Sequence, residues 1–268
     1  MSGKAAVDDH WQSGSPYERY VGRWSREVAP RFVAWLALPP RQRIADVGCG
    51  TGALCAAVLE HCAPSLVVGI EPSQGFLDLA RQNVGGRALL FQGDATSIPL
   101  DDSAVDAVVS GLVLNFVSDQ AKALEEMKRV TTDGGTIAAY VWDYAGKMEM
   151  LRKFWEAAVS LRPQDAKQDE GKRFASCKPD ALAALFKDAG LANVATTAID
   201  IPTLFASFDD YWEPFLGGQG PAPTYAMALS QADRTALRER IRERMRIRAN
   251  GSISLSARAF AVRGTVAK

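Results

Sequence analysis

The chain has little with which to hold a metal, a bilayer or a nucleic acid. Of its 268 residues only two are histidine and four cysteine, and Cys49, Cys55, Cys62 and Cys177 form no Cys-x-x-Cys pair. No metal site or disulfide framework is therefore indicated, and reduced thiols in a cytoplasmic protein are expected. No apolar run approaches the roughly 20 residues of a membrane span, and the polar residues 1 to 15 contain no apolar signal core. Lys plus Arg and Asp plus Glu are both 31, giving a formal charge of zero, so nothing draws the chain generally to nucleic acid or to anionic membranes. The expected partner is a small molecule, with the protein a monomer or homodimer.

What is abundant is apolar: 47% of residues are hydrophobic, ample for one sizeable core. The organising stretch is Ile44-Ala45-Asp46-Val47-Gly48-Cys49-Gly50-Thr51-Gly52, an apolar run that breaks into three glycines at alternate positions. It reads as strand, tight turn and helix start, a loop whose backbone can approach a ligand at the positive end of a helix. The spacing is neither the Gly-x-Gly-x-x-Gly of dinucleotide folds nor the Gly-Lys-Ser/Thr of P-loops. Glu71 ends the next apolar run, 66 to 70, and lies 25 residues beyond Asp46; Asp94 follows a third, 88 to 92. Carboxylates at the C-terminal ends of successive parallel strands converge on one crevice, where ligands of open sheets bind.

Together Asp46 to Gly52, Gly69-Ile70-Glu71-Pro72-Ser73, Gly93-Asp94-Ala95, Ile98-Pro99-Leu100 and Gly134-Gly135-Thr136 resemble the class I S-adenosylmethionine-dependent methyltransferases. Within that family they are most similar to small-molecule enzymes of the ubiquinone-biosynthesis type. The resemblance covers roughly residues 20 to 145. It implies S-adenosyl-L-methionine as cofactor, with Glu71 accepting the ribose hydroxyls, Asp94 and the Ala95 amide serving adenine, and Asp46 with Gly48, Cys49, Gly50 and Gly52 holding the methionine part beside Pro72. The family's nucleic-acid amino-methylating members carry Asn/Asp-Pro-Pro-aromatic after the fourth strand. Here that place reads Ser110-Gly111-Leu112-Val113-Leu114-Asn115-Phe116, so a small acceptor is implied.

Taken in order, strand-length runs at 44 to 47, 66 to 70, 88 to 92, 105 to 112 and 136 to 142 alternate with helical patterns. The expected fold is α/β: a doubly wound, mostly parallel, seven-stranded Rossmann-like sheet. Residues 191 to 201 read as a sixth strand, and alternation from Ile253 to Ala261 as an antiparallel edge strand. A single domain over 1 to 268 is expected, with a lid and helix in 1 to 40 and a helical insertion at 205 to 250. The insertion opens with Phe205, Phe208, Tyr211, Trp212 and Phe215, which would either close over substrate or pack the insertion down. Arg234 to Arg248 holds seven arginines around Leu237, Ile241 and Met245, a solvated face with one apolar seam.

Before the helix expected from Ser25 to Leu38, Tyr17, Tyr20, Arg23 and Trp24 show no helical or strand periodicity. Tyr20 and Arg23 are expected to fold across the cofactor. Methyl transfer is an in-line displacement that demands alignment, and a hydroxyl acceptor would add a general base. Asp143 and Tyr144 after the fifth strand and Asn115 after the fourth are the catalytic candidates; His10 is expected in a mobile tail. Two other functions fit less well: a non-catalytic adenosylmethionine-binding or scaffold protein, and an NAD-dependent oxidoreductase.

Overall fold

The apolar runs become strands because each is flanked by glycine, proline or a helix cap and is long enough for one crossing of a sheet. In the computed structural model, which describes residues 17–218 and 220–267, they are β1 (Arg43–Val47), β2 (Leu66–Glu71), β3 (Leu89–Gln92), β4 (Val105–Gly111), β5 (Thr131–Trp142), β6 (Ala192–Phe205) and β7 (Ile253–Thr265). They form one sheet in the order β3-β2-β1-β4-β5-β7-β6. β1 pairs in parallel with β2 and β4, β2 with β3, and β4 with β5, while β7 runs antiparallel to both β5 and β6. His10 lies outside the described residues.

Strand direction in the sheet agrees with the sequence reading, but position differs in one respect. The antiparallel strand β7 sits between β5 and β6, and the rims are β3 and β6. Its residues Ala257, Ala259 and Ala261 are buried, small enough to let helices close over the middle of the sheet. β6 extends to Phe205 and β7 to Thr265, pairing from Ala192↔Thr265 to Phe205↔Ile253. Both ran longer than the apolar pattern because rim and turn positions carry Thr, Asp and Arg.

The helices α1 (Arg23–Leu36), α2 (Ala53–His61), α3 (Gln74–Val84) and α4 (Gln120–Val130) alternate with the first five strands. α1 buries Val28, Ala29, Phe32, Val33 and Leu36 and ends where Ala37 turns left-handed (φ 49), short of Pro39. Its last carbonyls, Trp35 and Leu36, accept from the Arg263 guanidinium at 3.1 Å each, so β7 caps this helix. The chain is already helical before α1, in a π-helical turn at Glu18–Gly22. That corrects the expectation of an irregular segment, because a π turn moves the side chains off the 3.6-residue period by which a helix is read.

Beyond β5 lie α5 (Glu149–Leu161), the short α6 (Glu170–Arg173) and α7 (Pro179–Asp188); α8 (Phe208–Trp212), α9 (Pro221–Ala228) and α10 (Gln231–Glu243) intervene between β6 and β7. α10 buries Leu237 and Ile241 and turns its arginines outward, with Arg238 paired to Asp209 and Glu239. Among the described residues no helix is long and apolar enough to cross a membrane.

Candidate functional site

At the C-terminal ends of β2, β1, β4 and β5 the chain leaves the sheet through Glu71, Gly48, Gly111 and Trp142, and a cavity of ≈ 410 Å³ opens there. It straddles the point between β1 and β4 where strand order reverses, the usual ligand crevice of an open α/β sheet. Glu71, Pro72, Ser73 and Phe76 form one end; Trp142, Tyr144, Leu151 and Glu170 line the other, with Tyr17, Tyr20 and Val21 contributed by the N-terminal helical segment. A side cavity of ≈ 30 Å³ shares Tyr17, Gly48, Gly50 and Gly111 with it and reaches Asp46, Cys49 and Thr51.

The glycine loop is built to admit the backbone, and it spends its amides inside the protein. Gly48 and Cys49 donate to the Ile70 carbonyl at 2.8 and 3.0 Å, and Gly52 to the Cys49 carbonyl at 2.8 Å. The Gly50 N–H donates to Glu71 Oε2 at 3.1 Å, while the Ser73 N–H donates to Oε1 at 3.0 Å. Gly48 has φ +75, and a Cβ there would meet Val113 Cγ2 at 2.4 Å; Gly50 has φ +53 and open space in front of it. The loop therefore orients a carboxylate and clears a path to it. It does not present a row of free amides, as the glycine pattern had suggested.

Two acids in this region are held away from their ordinary titration. Asp46 is 1% exposed and accepts from the Cys55 thiol at 3.2 Å through Oδ2, while Oδ1 is buried without a partner among the described residues. Burial, opposed by that thiol and reinforced by the charge of Glu71, pushes its pKa up to about 7. Burial also raises Glu71, against the pull of its two backbone donors.

The far end of the cavity is aromatic. The Tyr144 hydroxyl is 3.4 Å from Asn115 Nδ2; the Tyr20 hydroxyl and Trp142 Nε1 are buried with no hydrogen-bond partner among the described residues. Glu170, 2% exposed, accepts from Trp155 Nε1 at 2.8 Å, and the neighbouring Asp169 is clasped by Arg152 at 2.6 and 3.0 Å. Burial first, then the Glu170 charge, holds the Tyr20 and Tyr144 phenols well above their usual range.

Of the expected site residues, Tyr20, Gly48, Gly50, Glu71, Pro72 and Tyr144 line the main cavity, and Asp46 and Cys49 the side cavity. Gly52 (φ +86) serves as the N-cap of α2. Asn115 lines a separate space of ≈ 30 Å³ with Cys177 and reaches the cavity only through Tyr144. Four positions, Arg23, Asp143, Asp94 and Ala95, lie off the lining of both cavities. Arg23 pairs with Asp210 at 2.8 Å and lies over the rings of Trp24 and Phe205, tying α1 to the insertion. Asp143 holds its own turn, accepting from the Gly146 and Lys147 amides at 2.9 Å each. Asp94, exposed, accepts from the Thr96 amide at 2.8 Å and its hydroxyl at 2.6 Å, and with Ala95 it stands off the cavity lining.

The aromatic insertion packs down. Phe215 stacks on Phe154 (4.6 Å, 15°) and meets Tyr20 edge-on at 5.5 Å, and the Tyr211 hydroxyl donates to the Met150 carbonyl at 2.8 Å. These rings back the cavity wall without lining it. Sequence reasoning missed Glu170, which stands in a charged segment without periodicity; its one signal was an acid among lysines and arginines directly after Asp169.

The glycine loop, the strand-end acid Glu71 and the part of the crevice between Gly48 and Phe116 fall within residues 45–139, which match the family described as a methyltransferase domain. The chain is 34% identical over 141 residues to a malonyl-[acyl-carrier protein] O-methyltransferase of Serratia marcescens, covering 53% of this chain and 54% of that one. It is 36% identical over 107 residues to a demethylmenaquinone methyltransferase of Roseiflexus castenholzii, covering 40% and 45%. The chain thus spans about half the length of the curated relatives it matches. The fold extends further: a Bacillus halodurans structure solved as that of a candidate methyltransferase superposes with a TM-score of 0.61 at 14% identity, over 90% of this chain and 100% of that one.

Proposed function

We propose that the protein is an S-adenosylmethionine-dependent methyltransferase that places a methyl group on O, C or N of a small, partly apolar molecule. The observation that carries this reading is the Oδ1 of buried Asp46, without a partner among the described residues, in a side cavity that shares Gly48 and Gly50 with the crevice at Glu71. A buried carboxylate oxygen without a donor asks for one, and the ammonium of an amino acid tail supplies it. Glu71 keeps lone pairs for a ribose diol beyond its two amide bonds. Asp94 and the Ala95 amide, given to adenine by the resemblance, would serve it once Asp94 releases Thr96.

Bound there, the cofactor supplies an electrophilic methyl group on a sulfonium. The protein's part is to align and to exclude water: Tyr17, Tyr20 and Phe76 close the cavity from the N-terminal and α3 sides, with Tyr17 edge-on to Phe76 at 5.4 Å. Aromatic faces suit a cation, by roughly 0.5 to 2 kcal/mol. Calorimetric titration tests the reading. Micromolar binding of adenosylmethionine and adenosylhomocysteine with none of NAD is expected; heat from NAD alone would overturn it. Transfer of labelled methyl to a panel of phenols, acids and amines then separates an enzyme from a binder.

A further inference from the structure

Tyr17 and Tyr20 are close in the chain but stand at different ends of the cavity. The Tyr17 ring meets Phe76 of α3 edge-on at 5.4 Å, whereas the Tyr20 ring meets Phe215, which stacks on Phe154 of α5. Glu71 ends β2 and Trp142 ends β5, three strand steps apart in the sheet, about 14 Å at about 4.8 Å per step. A cofactor held at Asp46 and Glu71 therefore leaves the β5 end, with Tyr20, Trp142, Tyr144 and Leu151, to the molecule that receives the methyl group.

That end carries two hydrogen-bond donors with no acceptor of their own. Tyr20 and Trp142 both line the cavity and are each 2% exposed, and the Tyr20 hydroxyl and Trp142 Nε1 are buried without a partner among the described residues. An indole N–H can only donate. Burial above all holds the Tyr20 phenol well above its usual range, so it keeps its proton at neutral pH and donates as well. The two side chains come from separate elements, the π-helical turn and the end of β5, and the cavity is the space they share. Buried donors left unpaired destabilise the fold, and each calls for an acceptor. A carbonyl oxygen offers two lone pairs and has no proton to place; a hydroxyl brings a proton that needs a third partner.

Building on the methyltransferase reading, we propose that Tyr20 and Trp142 set specificity by donating to one carbonyl oxygen of the methyl acceptor, an apolar carbonyl compound. An oxygen whose lone pairs are both engaged is a weak nucleophile. It anchors the acceptor, and a different atom of the molecule receives the methyl group. Tyr20 then serves the acceptor rather than the cofactor.

The test uses three probes of one size that differ at the oxygen: acetophenone, its alkene isostere α-methylstyrene, and 1-phenylethanol. Each is titrated by ligand-observed NMR into the full chain, with and without adenosylhomocysteine, whose own binding is measured first by calorimetry. Acetophenone should bind at least tenfold more tightly than α-methylstyrene and at least threefold more tightly than 1-phenylethanol. Tyr20→Phe removes only the oxygen. It should weaken acetophenone about three- to tenfold, the range of one neutral hydrogen bond, while α-methylstyrene and adenosylhomocysteine stay within twofold and the melting temperature does not fall. In protein isotope-labelled at the tryptophan indole nitrogens, the Trp142 Nε1–H resonance, assigned by its loss in Trp142→Phe, should move downfield with acetophenone and not with α-methylstyrene. Equal binding of ketone and alkene, equal binding of ketone and alcohol, or binding of none of the three would each overturn the proposal. So would wild-type affinity for acetophenone in Tyr20→Phe, or a Trp142 resonance that the ketone leaves in place. Failure of adenosylhomocysteine alone to bind, with the ketone preference intact, would instead strike the cofactor reading.

Discussion

The two ends of the cavity are made by different means. Around β1 and β2 the wall is backbone and carboxylate: three consecutive loop residues, Gly48, Cys49 and Gly50, donate to the Ile70 carbonyl or to Glu71, and a buried acid waits for a donor. Around β4 and β5 it is rings and aliphatics drawn from the N-terminal helical segment, the strand ends, α5 and α6, with Glu170 the one acid among them. The first end is held by intramolecular hydrogen bonds from its loop amides, which suits one constant ligand. The second is shaped by side-chain packing, so it can change occupant by substitution while the first stays the same.

Chemistry at Asp46 should break that contrast most visibly. Its carboxyl is raised from 3.8 to about 7 in the folded protein, so between those values the native state binds a proton that the unfolded chain has lost. Stability should therefore fall as pH rises from about 4 to about 7 and level off above, by at most about 4 kcal/mol at 1.36 kcal/mol per unit. Glu71, also raised, adds in the same direction. The lowered acids Asp106, Glu126 and Asp200 contribute in the opposite sense, but their gain is complete near pH 5. Urea midpoints at pH 5 and 8 should show the fall in wild type and much less of it in Asp46→Asn; parallel behaviour would refute the assignment. The same proton should leave on cofactor binding at pH 6, seen as a heat that depends on buffer.

Gly48→Ala comes next. Its Cβ would meet Val113 at 2.4 Å at φ +75, and overpacking plus a left-handed alanine together cost about 2 to 5 kcal/mol. Chemical denaturation measures this, and a loss below 1 kcal/mol would mean that the loop is looser than its geometry. Glu71→Ala should weaken adenosylmethionine about tenfold to a hundredfold, since hydrogen bonds to a charged acceptor are worth roughly 1.5 to 3 kcal/mol. An unchanged constant in a folded variant would remove Glu71 from the site. The smallest effect is expected of Tyr20→Phe. The hydroxyl is buried without a partner among the described residues, so its removal should change stability by about 0 to 1 kcal/mol in the stabilising direction, and any large loss in thermal melting would reveal a partner for it.

How much of this was legible in the sequence follows the same division. Asp46, the glycine loop and Glu71 could be read because each sits where a strand-length apolar run stops, and a strand end fixes direction and place together. Asp94 sits at such an end too, yet Thr96 two residues on gives its carboxylate a local donor, which the pattern of runs does not show. Asp143 is lost to its own turn for the same reason. Arg23 and Glu170 depend on partners far along the chain, Asp210 and the α5 tryptophan respectively, and no local period encodes such a pairing. Tyr17 and Tyr20 were visible as aromatics in need of a task; the π-helical turn that aims them inward was not.

The place of β7 has a consequence for synthesis. Residues 253 to 265 are made after the other six described strands, yet among the described residues β6 has no neighbour in the sheet except β7, and α1 ends on carbonyls that Arg263 satisfies. A nascent chain stopped before residue 253 can complete the five parallel strands and the glycine loop, but it leaves β6 and the rim of β5 unpaired. Such intermediates expose strand edges that invite pairing with other chains. The end of the cavity at Asp46 and Glu71 should thus be able to form on the ribosome ahead of the β5 end, and chains released early should be prone to aggregate through β5 and β6.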